Sequence, residues 1–239
     1  MNLEEMIKYL RINILDDTGG TGVDWARIDE CEDENALLRW SNESLTAFIN
    51  ESLRKVCRGS YLLKDKQSGF DITLLNQVES YSIDPRIIKI KSVRLKTTGK
   101  RLSEVASEDV WDELSSNRTE GLPSSYFVDE ATGKINLFPI PTTASGLEDI
   151  EFIAYREEMT PLSWSDDMEG TSEINPRYHI PLLNYAAYLA YLKDEANSLD
   201  PQRAQQFLSL FVQDFDDTSV YSEVRRVRRK RGTVAYGGL

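Results

Sequence analysis

The stretch from Asn175 to Asp216 constrains the fold more than any other part of the chain. It predicts two helices with a break at Asp200–Pro201. In the first, Leu182, Tyr185, Ala186 and Leu189 share a face, while Leu183, Ala187, Ala190 and Tyr191 cover the others. A helix that is apolar nearly all round is normally buried, and its alanines let neighbouring helices approach closely. The second is amphipathic, with Ala204, Phe207, Leu208, Phe211 and Phe215 at helical spacing. Asp200 suits its N-cap, and Pro201 suits the first helical position, where no N–H is needed. This hairpin needs a surface to pack on. Leu189→Asp is expected to prevent folding, because an unpaired charge is costly to bury.

Upstream, Asn2 to Leu15 reads as an amphipathic helix with Leu3, Met6, Ile7, Leu10 and Ile14 on one face. Asp16, Asp17 and the glycines Gly19, Gly20 and Gly22 end it. A second helix starts near Ser41, carries Leu45, Phe48, Ile49, Leu53 and Val56 on one face, and stops by Gly59. The middle of the chain changes period. Gln77 to Ile83 alternates loosely. Ile87 to Lys96 is the clearest strand, apolar at Ile88, Ile90, Val93 and Leu95 with basic residues between them. Its phase slips at Ser92, which predicts a bulge. Thr97 to Lys100 turns it back towards Arg101 and Leu102. Ser107 to Leu114 reads as a short helix. Tyr126–Val128 and Lys134–Phe138 flank the turn Asp129–Gly133 as a second hairpin. Asp149 to Tyr155 is the last strand, with Ile150, Phe152 and Ala154 facing one side.

Helices at both ends and strands between them predict an α+β fold. A helical bundle forms from the N- and C-terminal helices, an antiparallel β-sheet domain is inserted into it, and an extended C-terminal arm follows. The expected parts are residues 1–70 and 159–224 for the bundle, 71–158 for the β insertion and 225–239 for the arm.

The chemistry available is narrow. His179 is the only histidine, which excludes histidine-rich metal sites; at a helix start it reads as a packed or capping residue. Cys31 and Cys57 are isolated and make neither a disulfide framework nor a zinc site. Gly19-Gly20-Thr21-Gly22 lacks the Gly-Lys-Ser/Thr ending of a phosphate loop. The carboxylates at Asp29–Glu34 and Asp166–Glu169 lack the spaced oxygens and central glycine of a calcium loop and read as solvated acidic loops. No catalytic residue, cofactor or metal is expected. The start, Met1-Asn2-Leu3-Glu4-Glu5, has no secretory pattern, so a reducing cytoplasm is the expected place of synthesis. The apolar run Ile180 to Leu192 falls short of the ~20 residues that span a bilayer, and no membrane partner is expected.

Charge singles out the end of the chain. Forty acidic against 28 basic residues give a net charge of −12, and such a chain repels nucleic acid as a whole. Yet Arg225, Arg226, Arg228, Arg229, Lys230 and Arg231 fall within seven positions, so the remainder carries −18. A run of like charge repels itself and cannot close a core. Together with Tyr236 it reads as a segment that binds a partner with acidic groups. Asp214, Asp216 and Asp217 lie where the helix dipole disfavours negative charge, which points to a basic partner covering them.

Several stretches resemble the head-to-tail adaptor, or connector, proteins of tailed bacteriophages, especially the short-tailed ones. They are Trp40 with Leu45–Ser52, Gly121–Phe127 and Gly133–Pro141, Ala154-Tyr155-Arg156, and the Tyr-Ala-rich helix Tyr185–Leu192 followed by Ala204–Phe215. The resemblance implies a structural, non-enzymatic virion protein of the neck, assembled in the host cytoplasm. It implies a ring, usually of twelve copies, beneath the portal, which extends the DNA channel and serves as the platform for tail or nozzle proteins. Double-stranded DNA passes without sequence specificity. Apart from the resemblance, the charge of the basic residues, with Tyr236, predicts an arm that contacts the portal or an adjacent subunit. Two other classes remain open at this stage. One is a regulatory protein that binds nucleic acid through Arg225–Arg231, marked by salt-sensitive binding. The other is an enzyme whose turnover depends on His179 or Asp166.

Overall fold

Asn2 starts the first helix, α1 (Leu3–Tyr9), by a reciprocal cap: its side chain accepts from the Glu5 N–H at 2.8 Å while Glu5 reaches back to the Asn2 N–H at 3.1 Å. This computed structural model describes residues 1–17, 38–66, 68–106, 119–164, 170–193 and 200–216. The expected helix to Leu15 is present, but it is not α-helical throughout. From Leu10 to Leu15 the chain continues as a π-helical turn, closed by Asp16 in the left-handed conformation with φ 51°. The wider winding accompanies a buried Arg11 on a segment whose other inward residues are Leu10 and Leu15. Gly19–Gly22, the acidic stretch Asp29–Glu34, Cys31, the expected helix Ser107–Leu114 and the carboxylates Asp166–Glu169 lie outside the described residues.

The second helix, α2 (Asn42–Ser60), is capped by Ser41 as its sequence suggests, with the Ser44 N–H donating to the hydroxyl at 3.2 Å. It runs through Gly59 and ends at Tyr61, which takes the left-handed position (φ 53°) and donates its N–H to the Cys57 carbonyl. Leu45, Ile49, Leu53 and Val56 are buried, and Phe48 is half-buried. Two buried hydroxyls on this helix are satisfied along it: Thr46 donates to the Asn42 carbonyl at 2.8 Å and Ser52 to that of Phe48 at 2.7 Å.

The C-terminal pair is α3 (His179–Leu192), entered through a 3₁₀ turn at Pro176–Tyr178, and α4 (Pro201–Asp216). Asp200 accepts from the Arg203 N–H at 3.0 Å, the expected cap. Helix α3 is the centre of this part of the molecule. It packs on α2, on α4 and on the π-helical turn. Its Leu182, Leu183, Ala186, Ala187 and Ala190 are wholly buried, yet Ile180 stays 47% and Leu192 41% exposed, and Tyr185 and Leu189 are half-buried. The expectation of burial all round therefore fails, since the neighbours leave one stripe of α3 open. Aromatic pairs tie α4 to α3: Tyr178 with Phe215, Tyr185 with Phe211 and Tyr191 with Phe207, at centroid distances of 6.1, 5.0 and 5.7 Å. The stretch around Leu162, which leads into this pair, is fixed to α2 by Asn50, whose amide donates to the Leu162 carbonyl at 2.7 Å and accepts its N–H at 2.9 Å.

Chain contacts divide the molecule into two units, Met1–Leu63 with Glu157–Leu239, and Lys64–Arg156. The fold is mixed α+β, with terminal helices and an inserted β region. The β region holds two sheets where one was expected. Strands β1 (Leu63–Asp65), β3 (Ile87–Leu95) and β7 (Ile150–Arg156) form one in the order β1-β7-β3. Strands β2 (Ser80–Ser82), β4 (Ser103–Glu104), β5 (Ser125–Asp129) and β6 (Lys134–Phe138) form the other in the order β2-β6-β5-β4. The pairing of β4 with β5 is parallel, a departure from the wholly antiparallel expectation. The cause is local: after the turn at Thr97–Lys100 the chain pairs with β3 only at Arg101 and Leu102 and then joins the second sheet.

The slip read at Ser92 is present as a register shift between Ile90 and Ser92, and a second lies between Ile87 and Lys89. Ile90, Val93 and Leu95 with Ile150, Phe152 and Ala154 make the buried face. On β7, however, Glu151 and Tyr155 on the opposite face are buried as well. A central strand is flanked by side chains from both neighbours, so the one-sided reading of β7 is corrected.

Candidate interaction surfaces

The side chains most able to act chemically are built into the structure. His179 opens α3 and is fully buried. Its Nε2 lies 2.8 Å from the Ile174 carbonyl oxygen, which only accepts, so Nε2 carries the proton. Nδ1 then accepts from the Met1 amine at 3.1 Å. Burial pulls the imidazole below its ordinary pKa. The ring is neutral and shielded from solvent, which suits a packing residue.

Arg11 is 1% exposed and forms the polar centre of the helical unit. It pairs with Asp17 and donates to the Trp40 carbonyl and to the Asn42 side chain, each at 2.7 Å. Asp17 also accepts the Arg39 N–H at 2.8 Å. Trp40 donates its indole N–H to the Ala190 carbonyl at 3.2 Å and meets the Tyr191 ring edge-on. This network joins the end of the π-helical turn, the start of α2 and the last turn of α3. Among the described residues there is no group of three or more histidine, cysteine, aspartate or glutamate side chains that could hold a metal. No described helix is long and apolar enough to cross a membrane.

A charged row crosses the first sheet. Glu151, at the centre of β7, takes Lys66 at 2.5 Å on one side and Arg94 on the other. The Lys66 hydrogen bond, helped by Arg94, holds the Glu151 carboxyl below the usual range. Arg94 lies opposite Arg101 in the antiparallel bridge that follows β3. Lys96 reaches Asp71 at 2.8 Å. The alternation of basic residues along β3 and the turn that returns Arg101 were visible in the sequence, but Lys66 and Glu151 come from distant segments and become its neighbours only through strand order. The expected partner-binding residues Arg225, Arg226, Arg228, Arg229, Lys230, Arg231 and Tyr236 lie outside the described residues.

The model of the family described as SU10 adaptor protein matches residues 1–235. The chain belongs to the SU10 adaptor protein family. Comparison with curated proteins finds no match. Membership makes the protein a structural phage adaptor, and the surfaces of the adaptor, rather than a catalytic pocket, are what its chemistry has to explain. The match runs through the helices at both ends and through the β insertion between them.

Proposed function

We propose that this adaptor forms a ring beneath the portal of a phage head, extends the DNA channel, and gives the tail or nozzle proteins of a short-tailed particle their attachment platform. The family match over residues 1–235 carries the reading. Twelve copies in head-to-tail contact would close such a ring, because heterologous contacts close when the rotation per subunit divides a full turn. The open apolar stripe of α3 and the exposed Leu210 and Val212 of α4 are two unlike surfaces of the kind a head-to-tail contact uses. Arg225, Arg226, Arg228, Arg229, Lys230, Arg231 and Tyr236 form an assembly arm that docks on the portal or an adjacent subunit, where arginine makes paired hydrogen bonds to carboxylates.

The test is assembly on purified portal rings, read as particle mass and symmetry. The full chain is expected to add a ring of defined mass. A chain cut after Val224 is expected to melt at the same temperature and fail to join. If the cut chain attaches as well as the full one, the arm has no docking role. If the full chain neither assembles nor attaches but binds duplex DNA through Arg225–Arg231, a regulatory role replaces the ring.

A further inference from the structure

We propose that the charged face of the β1-β7-β3 sheet is a sequence-independent contact surface for the phosphodiester backbone of double-stranded DNA. The inference depends on the adaptor reading only for the presence of DNA; the surface itself rests on strand register. Lys89 lies opposite Tyr155 and Arg94 opposite Glu151, so these four share one face. Lys91 occupies the extra position of the bulge, and its ammonium sits 5.8 Å from the centroid of the Tyr155 ring, which brings it to the same face. Lys96 follows Arg94 by one strand period, and Lys66 reaches in from the β1 side to Glu151. Arg101, opposite Arg94, completes the set.

Glu151, Asp71 and Asp149 meet Lys66, Arg94 and Lys96 of this set. Glu151 is nearly buried and already shared by Lys66 and Arg94. Two arginines directly opposite in a strand pair repel each other, and among the described residues Arg101 has no ion pair to relieve this. A polyanion laid along β3 supplies negative charge beside Arg94 and Arg101. Alternate strand residues repeat at about 6.6 Å, which suits a linear array of phosphates better than a single ion.

Two further observations favour DNA over an acidic protein. Protein interfaces are anchored by apolar or aromatic side chains at their centre, and none of the exposed large apolar residues lies on β1, β3 or β7. Most of the cations are lysines, point charges that do not impose bidentate geometry, and phosphate contacts carry no sequence information. The acidity of the whole chain does not oppose a local contact here. The unit Lys64–Arg156 has 12 basic and 15 acidic residues, so most of the acidic excess lies in the rest of the chain. At physiological salt, distant exposed charges are screened beyond about 8 Å.

The experiment measures binding of the full chain to a random-sequence duplex by fluorescence anisotropy across a salt series. It compares the parent, Lys91→Gln/Arg101→Gln, Lys91→Glu/Arg101→Glu, and a chain with the six basic residues of Arg225–Arg231 changed to glutamine. The neutralised pair is expected to weaken binding by about tenfold at low salt and to flatten the log–log salt slope by about 2, as two lost phosphate contacts require. The charge-reversed pair should weaken it further, with thermal melting unchanged in both. The proposal is overturned if the parent does not bind the duplex at low salt, or if the sheet variants bind as tightly as the parent while the arm variant loses binding. It is also overturned if the sheet variants keep DNA affinity but no longer join portal rings, which would make the face a protein contact. DNA binding by the parent needs no ring, so failure of the ring reading shows separately in the portal assembly assay.

Discussion

Arg11 and Asp17 show how a single buried pair can set where segments meet. Leaving either ion alone inside the helical unit would cost roughly 3–5 kcal/mol. The pair is tolerated because the remaining guanidinium hydrogens go to the Trp40 carbonyl and Asn42, and the remaining Asp17 oxygen takes the Arg39 N–H. His179 is buried without an anionic partner at hydrogen-bond distance, and it yields a prediction about pH. Its folded pKa is depressed by burial. Above the unfolded value of about 6.5 the ring is neutral in both states and contributes no pH dependence. As pH falls below that value the unfolded chain takes up a proton that the folded ring resists, so stability falls. Urea midpoints measured between about pH 7.5 and pH 5.5 should decline for the parent. They should be flat over this interval in His179→Gln, which can still donate to Ile174. A parent with level midpoints would show that the imidazole is not held neutral. The window stops there because Glu158, whose pKa burial raises, contributes in the opposite direction at lower pH.

At the scale of the element, α3 separates two kinds of apolar residue that its sequence does not distinguish. Leu182 is fully buried and Leu189 is only half-buried on the open stripe. The expectation that Leu189→Asp abolishes folding is therefore withdrawn, because an aspartate there can reach water. Leu182→Ala should cost about 2–5 kcal/mol, the range for a leucine removed from a packed core, while Leu189→Asp should cost less than Leu182→Asp and leave a folded monomer. Chemical denaturation of the three variants checks the order. Equal losses at Leu182 and Leu189 would mean that α3 is enclosed on all sides. The same reasoning applies to α4, whose Phe207, Phe211 and Phe215 face α3 while Leu210 and Val212 face out.

For the whole molecule, the β unit is entered and left at one place. Arg156, the last residue of β7, donates to Asp65 of β1 at 2.9 Å through Nε and at 2.5 Å through a terminal nitrogen. The two strands also lie next to each other in the sheet. A closed neck of this kind lets an insertion be removed with little strain on its host. Replacing Lys64–Arg156 by a short Gly-Ser linker should leave a helical unit that still melts cooperatively, since loop-closure entropy changes only slowly with length. Loss of a cooperative transition in the deleted chain would show that the helices need the β unit to fold.

Local patterns in the sequence located most of the elements. The Ser41 cap, the break at Asp200–Pro201, the bulge near Ser92 and the hairpin at Asp129–Gly133 each follow from backbone chemistry confined to a few neighbouring residues, so they were legible without a structure. The α+β class followed from the change between helical and strand periods along the chain. What the sequence could not decide depends on neighbours far apart in number. Whether β7 is covered on one face or both depends on β1 and β3 lying either side of it. Whether α3 is closed all round depends on how many elements pack around it. The split into two sheets depends on where the chain leaves β3 to pair with β5. The charged row of Lys66, Glu151 and Arg94 is the clearest case, because periodicity shows which way a side chain points on its own strand, while only strand order brings its charge beside another.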